Sequence, residues 1–131
     1  MSLPISRSTA EALEAAIQSH LLLRGRLRQA VQTGRAGISP EEASAQGGCD
    51  LDRLLGGGDL AAAARGARHV REIARSHAEF HACAGRILRL VADRRVGTAE
   101  CALGVELRDI SNRMIAEIEA LQDELKAPTG A

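Results

Sequence analysis

The sequence predicts an all-α protein, an antiparallel four-helix bundle whose second helix is broken into fragments. Helix-forming residues dominate nearly every stretch of the chain, apolar residues recur at helical spacing along three long segments, and glycines interrupt the second segment. Of the 131 residues, 45% are hydrophobic, with one Phe and no Trp or Tyr. We therefore expect one compact domain with a core of Leu, Ile, Val and Ala.

The first long helix is expected over residues 8–33. Segment 8–11 (STAE) has the pattern of a capping box, and Gly34 follows the last apolar position. The apolar residues at helical spacing are Leu13, Ile17, Leu21, Leu27 and Val31. Residues 1–7 are expected to be disordered or to derive from an expression vector. Residues 8–126 are expected to form the single helical domain, followed by a flexible C-terminus at 127–131.

The second element is expected to be short and broken. Segment 39–42 (SPEE) offers an N-cap serine, a proline in the first turn and early acidic residues, which favour a helix start. Gly47 and Gly48 then interrupt the chain, and residues 49–55 allow one or two turns before three glycines at 56–58. The glycines bring a short turn with a cysteine to a particular place, which indicates a functional role.

Two more long helices are expected after these glycines. Asp59 is a candidate cap for the third helix, which should end near Arg94 or Arg95, before Gly97. Thr98 is the expected cap of the last helix, which should end before Pro128. The apolar positions of the last helix are Cys101, Leu103, Leu107, Ile110, Met114, Ile115, Ile118 and Leu121.

Charge and hydropathy exclude several functional classes. Seventeen basic residues balance seventeen acidic ones, so the chain lacks the basic field that drives binding to nucleic acid. No segment approaches the roughly 18 continuous apolar residues of a membrane span. The N-terminus does not have the pattern of a secretory signal, and we expect a cytoplasmic protein. Three cysteines without disulfide spacing are then thiols or metal ligands.

Four residues can together supply metal ligands. His77 and His81 are four apart in a predicted helix, so both imidazoles lie on one face about one turn apart. His20 lies among apolar residues of the first helix, where a buried imidazole requires a partner. Cys49 begins the short turn after Gly48. One thiolate and three imidazoles form a complete tetrahedral set for zinc, although the His pair alone is also compatible with two surface histidines.

Three other candidates do not fit this set. Cys83 follows His81 by two residues, about 200° around the helix, and His69 lies about 12 Å along the helix from His77. We interpret Cys83 and Cys101 as small buried hydrophobic residues and His69 as a helix-surface residue.

Three segments resemble the chemoreceptor zinc-binding (CZB) domain of bacterial cytoplasmic sensors. They are residues 17–23 (IQSHLLL), 49–57 (CDLDRLLGG) and 77–87 (HAEFHACAGRI), and the resemblance spans about residues 8–95. In that family a His on the first helix is followed by a Cys-x-Leu/Phe-Gly-x-Trp-Leu-x-Gly segment and then by a His-x-x-Phe/Leu-His motif. Asp52, Leu54 and Leu23 depart from it where the family often has Gly, Trp and an aromatic residue.

The resemblance implies zinc ligation by His20, Cys49, His77 and His81 in a four-helix bundle that often forms homodimers. It further implies a sensory or regulatory module without enzymatic activity, in which zinc occupancy or oxidation of Cys49 is the input. The implied outputs are chemotaxis signalling or cyclic-di-GMP synthesis, through a chemoreceptor or diguanylate cyclase domain that this sequence does not contain.

Two other functions are compatible with parts of the sequence. A zinc hydrolase would use the same histidines with water as one ligand, but Glu79 is one residue away from the position of the base in a His-Glu-x-x-His motif. In a metal-free helical adaptor or dimerisation module, the histidines would have no role in metal binding. A di-iron bundle requires more His and carboxylate ligands than four histidines readily supply.

Overall fold

The computed structural model describes residues 3–35, 37–45, 50–55 and 67–126. The expectations for Cys49, for the glycines at 47–48 and 56–58 and for the Asp59 cap concern residues outside these ranges. Every regular element within the described ranges is helical, and no strand occurs there. The elements are α1 (Leu3–Thr33), α2 (Pro40–Ser44), α3 (Asp50–Leu55), α4 (Ala67–Ala92), α5 (Val96–Cys101), a π-helical segment (Ala102–Leu107) and α6 (Arg108–Lys126).

Helix α1 begins five residues before the predicted cap at Ser8 and ends where expected. Pro4 lies in its first turn, where a residue without a backbone N–H breaks no intrahelical hydrogen bond, so the helix extends back past the capping-box pattern. At the other end, Gly34 adopts a φ of +75° and donates its N–H to the carbonyl of Ala30 at 2.8 Å. Gly34 thus ends the helix in the left-handed conformation that glycine adopts without steric cost.

Helix α2 begins at the predicted N-cap serine, and Ser39 and Glu42 form a capping box. The Ser39 hydroxyl accepts from the N–H of Glu42 at 3.0 Å, and the Glu42 carboxylate accepts from the N–H of Ser39 at 3.1 Å. Pro40 occupies the first turn. The short helix packs on α4 through the buried Ala43.

Helix α4 ends at Ala92, two to three residues before the expected end. Arg94 has a φ of 61°, and its N–H donates to the carbonyl of Val91 at 3.0 Å. The N–H of Arg95 donates to the carbonyl of Leu90 at 2.8 Å. These two bonds form a Schellman motif with an arginine where glycine is usual.

The last helix contains a π-helical segment. It begins at Val96 rather than after Thr98, and its N-cap residue Arg95 makes no side-chain cap bond. Residues 101 and 108, on either side of the π-helical segment, both have α-helical backbone angles, so α5, this segment and α6 follow without a break.

The prediction that Cys101 is buried was wrong, because the residue is exposed. Cys101 and Leu103 are about 200° apart around a helix, so they cannot both face the core. Leu103 packs against the core and leaves Cys101 outside.

The hydrophobic core lies between α1, α4 and α6, which all contact one another, while α3 contacts α1 and α4. The largest fully buried apolar side chains are Leu13, Leu27, Leu51, Ile73, Phe80, Ile87, Leu88, Leu107, Met114, Ile118 and Leu121. Within the described residues, none of the helices has the length and apolarity needed to span a membrane.

The left-handed conformation of Arg94 predicts that Arg94→Gly stabilises the protein. Removing the Cβ at a positive φ should raise the free energy of unfolding by about 1 kcal/mol, measured by urea denaturation. Arg75→Gly, at an exposed position inside the same helix, should lower it by about the same amount. A loss of stability in Arg94→Gly would contradict the Schellman geometry.

Candidate metal centre

Three histidines meet in the core between α1 and α4. His20 projects from α1, while His77 and His81 lie one turn apart on α4. All three side chains are buried, and one ring nitrogen of each lies within 4.8 Å of the others. The structure therefore brings together three of the four predicted ligands.

The hydrogen bond of His20 to its own helix fixes which ring nitrogen is protonated. His20 Nδ1 lies 2.7 Å from the carbonyl oxygen of Ala16, one turn earlier. Because a carbonyl can only accept, Nδ1 carries the proton and donates it. In a neutral His20 ring, Nε2 is then the acceptor nitrogen.

A carbonyl from another helix fixes His81 in the same way. His81 Nδ1 donates to the carbonyl oxygen of Ala43 in α2 at 2.9 Å. Metal-bound histidines commonly donate their second ring N–H to a backbone carbonyl, which orients the ring and increases its basicity. Both His20 and His81 have this arrangement.

A glycine on α4 allows α2 to approach closely enough for this bond. A Cβ built at Gly85 would lie 2.7 Å from the Cβ of Ser44 and 3.0 Å from the carbonyl oxygen of Pro40. Only the absence of a side chain at Gly85 lets the two helices pack at this distance. Gly85 therefore supports His81 indirectly, through the position of Ala43.

The Nε2 atoms of His20 and His81 face each other at 3.3 Å. In neutral rings with protonated Nδ1 atoms, both nitrogens present lone pairs, and two lone pairs at this distance repel. A proton or a metal cation between them would relieve the repulsion. Two nitrogens bound to one tetrahedral zinc at about 2.0–2.1 Å lie roughly 3.3–3.4 Å apart.

His77 distinguishes between these two possibilities. Its side chain is completely buried, and within the described part of the chain neither ring nitrogen has a hydrogen-bond partner. A proton shared by His20 and His81 would leave His77 unsatisfied, at a cost of about 1–3 kcal/mol. One metal ion would satisfy a nitrogen of all three rings, so the residues present fit a metal.

The rings pack edge to face around this point. The centroid of His77 lies 4.6 Å from that of His81 and 5.1 Å from that of His20. Phe80, the one aromatic residue of the chain, lies 5.1 Å from His20 and is completely buried. Its apolar ring helps to exclude water from the histidines.

Cys49, the fourth predicted ligand, lies outside the described residues. Helix α3 begins at the next residue, Asp50, and packs on both helices that carry the histidines. Leu51 and Leu55 of α3 are buried. The prediction that Cys49 is a ligand stays a prediction.

The structure separates the other candidates from the cluster. Cys83 is buried as predicted, and burial, followed by the nearby Glu106 carboxylate, raises the pKa of its thiol to about 11. His69 is half-buried against the last helix, where it pairs with Glu117 at 2.7 Å and Glu124 at 3.5 Å. Glu79 is exposed and accepts from Arg113 at 3.2 Å.

Sequence analysis missed the groups that orient the histidines. The two acceptors are backbone carbonyls of Ala16 and Ala43, and a backbone group leaves no signal in the residue type. Gly85 does leave one, since glycine inside a long helix costs about 1 kcal/mol relative to alanine and often marks a close contact.

Comparisons of this chain with protein-family models, curated proteins and solved structures find no match. The resemblance to the CZB family therefore stays a prediction that rests on the three sequence segments that carry it.

The contact at Gly85 predicts that Gly85→Ala destabilises the protein and weakens metal binding. The added methyl group must displace Ser44 and the backbone at Pro40, which should cost about 1–3 kcal/mol and move the carbonyl that orients His81. Urea denaturation of the metal-free protein and competition with a zinc chelator measure the two effects.

Gly25→Ala is the matched control, because a Cβ at this exposed position in α1 meets no atom within 4 Å. It should stabilise the protein by up to about 1 kcal/mol and leave zinc affinity unchanged. Equal behaviour of the two variants would contradict the proposed role of Gly85.

Proposed function

We propose that this chain is a zinc-binding sensory or regulatory module that holds one Zn²⁺ per chain through His20, His77, His81 and Cys49. The observation that carries the proposal is the fully buried His77, which has no hydrogen-bond partner among the described residues and lies beside two imidazole nitrogens that face each other at 3.3 Å. Without a metal, the nitrogens of His77 have no hydrogen-bond partner among the described residues, and the Nε2 atoms of His20 and His81 repel each other if both lack a proton. One cation would bind one nitrogen of each ring.

The donor set supports zinc among the common metals. Imidazole nitrogens suit zinc, copper, iron and nickel, whereas magnesium and calcium prefer oxygen ligands. A thiolate from Cys49 would complete a tetrahedral N₃S shell, which is typical of zinc. Bound there, zinc would supply a structural crosslink between the ligands.

A closed shell of four protein ligands supports a regulatory role over a catalytic one. Catalytic zinc sites keep one position for water or substrate. Glu79, the carboxylate nearest in sequence to the position of the base in zinc hydrolases, is exposed and paired with Arg113. We therefore propose no enzymatic activity.

The positions of the ligands support coupling between metal occupancy and helix packing. The ligands belong to α1, α4 and the residue before α3, and α2 orients one of them. Loss of the ion would return unsatisfied nitrogens to the core and loosen the contact between α1 and α4. Oxidation of Cys49 would remove one ligand and have the same effect.

The proposed architecture is an antiparallel four-helix bundle. Helices α1 and α4 and the last helix would be three of its members, and α2 and α3 together would be the fragmented second member. We propose two partners for this chain. One is a second copy of the chain in a homodimer, and the other is a separate cytoplasmic output domain of chemoreceptor or diguanylate cyclase type. Their support is the sequence resemblance to cytoplasmic sensors.

A His77→Leu substitution tests the proposal through two opposite effects. Leucine has a similar size and no polar atoms, so the metal-free variant should be more stable than the metal-free wild type by about 1–3 kcal/mol. The variant should also bind zinc far more weakly. Elemental analysis after reconstitution under reducing conditions measures zinc per chain, and urea denaturation with and without chelator measures stability.

His69→Leu is the matched control on the same helix, since His69 pairs with glutamates outside the cluster. This variant should retain one zinc per chain. Absence of zinc from the reconstituted wild type would refute the proposal and favour the metal-free adaptor. One zinc per chain in His77→Leu, as in the wild type, would remove His77 from the site.

A further inference from the structure

Three arginines form a cluster of positive charge between α1 and the last helix. Arg24 and Arg28 are one turn apart on α1, and Arg108 is the first residue after the π-helical segment. The three arginines line a surface cleft of about 530 Å³ together with Glu100 and Gly104. The metal centre does not use any of them.

The positive charge of these arginines is largely uncompensated. Arg24 donates to the hydroxyl of Ser111 at 3.2 Å, a neutral acceptor, and Arg28 makes no ion pair within the described part of the chain. The Nε of Arg108 lies 3.6 Å from the carboxylate of its neighbour Asp109, and both side chains are more than half exposed. Exposed pairs of this kind contribute little.

The charges of Arg28 and Arg108 act on the Arg24 guanidinium, which is also partly buried. Burial lowers the pKa of the Arg24 guanidinium, and the charges of Arg28 and Arg108 lower it further. Glu100, the one carboxylate among the described residues that line the cleft, forms no hydrogen bond or ion pair with the arginines. A bound anion would relieve this repulsion.

The local backbone also fits a binding site. The π-helical segment Ala102–Leu107 forms one wall of the cleft through Leu103 and Gly104, and π-helical turns frequently occur at functional sites. Gly104 is exposed, and a Cβ there would meet no atom within 4 Å, so this wall leaves space in the cleft. Planar guanidinium groups bind phosphate oxygens in pairs, which gives both strength and orientation.

We propose that the cleft formed by Arg24, Arg28 and Arg108 binds a phosphate group, either as free phosphate or as the phosphoryl group of a small molecule.

Isothermal titration calorimetry in a low-salt buffer without phosphate tests this site. The probes are inorganic phosphate and phenyl phosphate, titrated into the wild type and into Arg28→Gln and Arg108→Gln. We expect saturable binding of one anion per wild-type chain. Each substitution should weaken it by about tenfold or more, because each removes charge-assisted hydrogen bonds.

The matched control is Arg26→Gln, because Arg26 is exposed on α1 about 200° around the helix from both Arg24 and Arg28. It should bind phosphate like the wild type. Tighter binding of phenyl phosphate would identify a phosphorylated small molecule as the ligand class, and equal or tighter binding of inorganic phosphate would identify free phosphate. No saturable binding, or equal weakening in Arg26→Gln, would overturn the proposal.

Discussion

The rest of the structure depends on the need to satisfy three imidazoles buried in an apolar core. His20 and His81 each donate Nδ1–H to a backbone carbonyl, and their Nε2 atoms lie 3.3 Å apart. His77 adds a third ring without a hydrogen-bond partner among the described residues. Such a cluster is unfavourable by itself, because buried polar groups without partners cost free energy. A bound cation would turn the same arrangement into a link between α1 and α4.

The helices around the cluster hold this arrangement in place. The capping box of Ser39 and Glu42 sets the start of α2, and the absence of a side chain at Gly85 lets α2 lie against α4. Together they bring the carbonyl of Ala43 to His81. The orientation of one buried ring thus depends on two surface residues and one glycine, and a change in metal occupancy would act back on the same contacts.

The histidine pair and the start of α2 were predictable from the sequence, because both depend on the spacing of nearby residues. The i, i+4 placement of His77 and His81 requires only a helix, and the cap at Ser39 requires only its own four residues.

The sequence did not predict the left-handed Arg94, because arginine shows no preference for a positive φ. Nor did it predict the π-helical segment or the pairing of His69 with Glu117 and Glu124, which depend on packing between distant parts of the chain. Helix α1 begins at Leu3 and the last helix begins at Val96, so neither begins at the cap that the sequence predicted.

Zinc binding by the three buried imidazoles is tested most directly by long-range ¹H–¹⁵N NMR spectra recorded during a zinc titration. If zinc binds between these rings, His20 and His81 should keep Nδ1 protonated and their Nε2 resonances should shift to the range of metal-bound nitrogen. One nitrogen of His77 should shift in the same way. The spectrum of His69 should not change. Coordination through Nδ1 of His20 or His81, or a titration that leaves His77 unaffected, would contradict zinc binding in this arrangement.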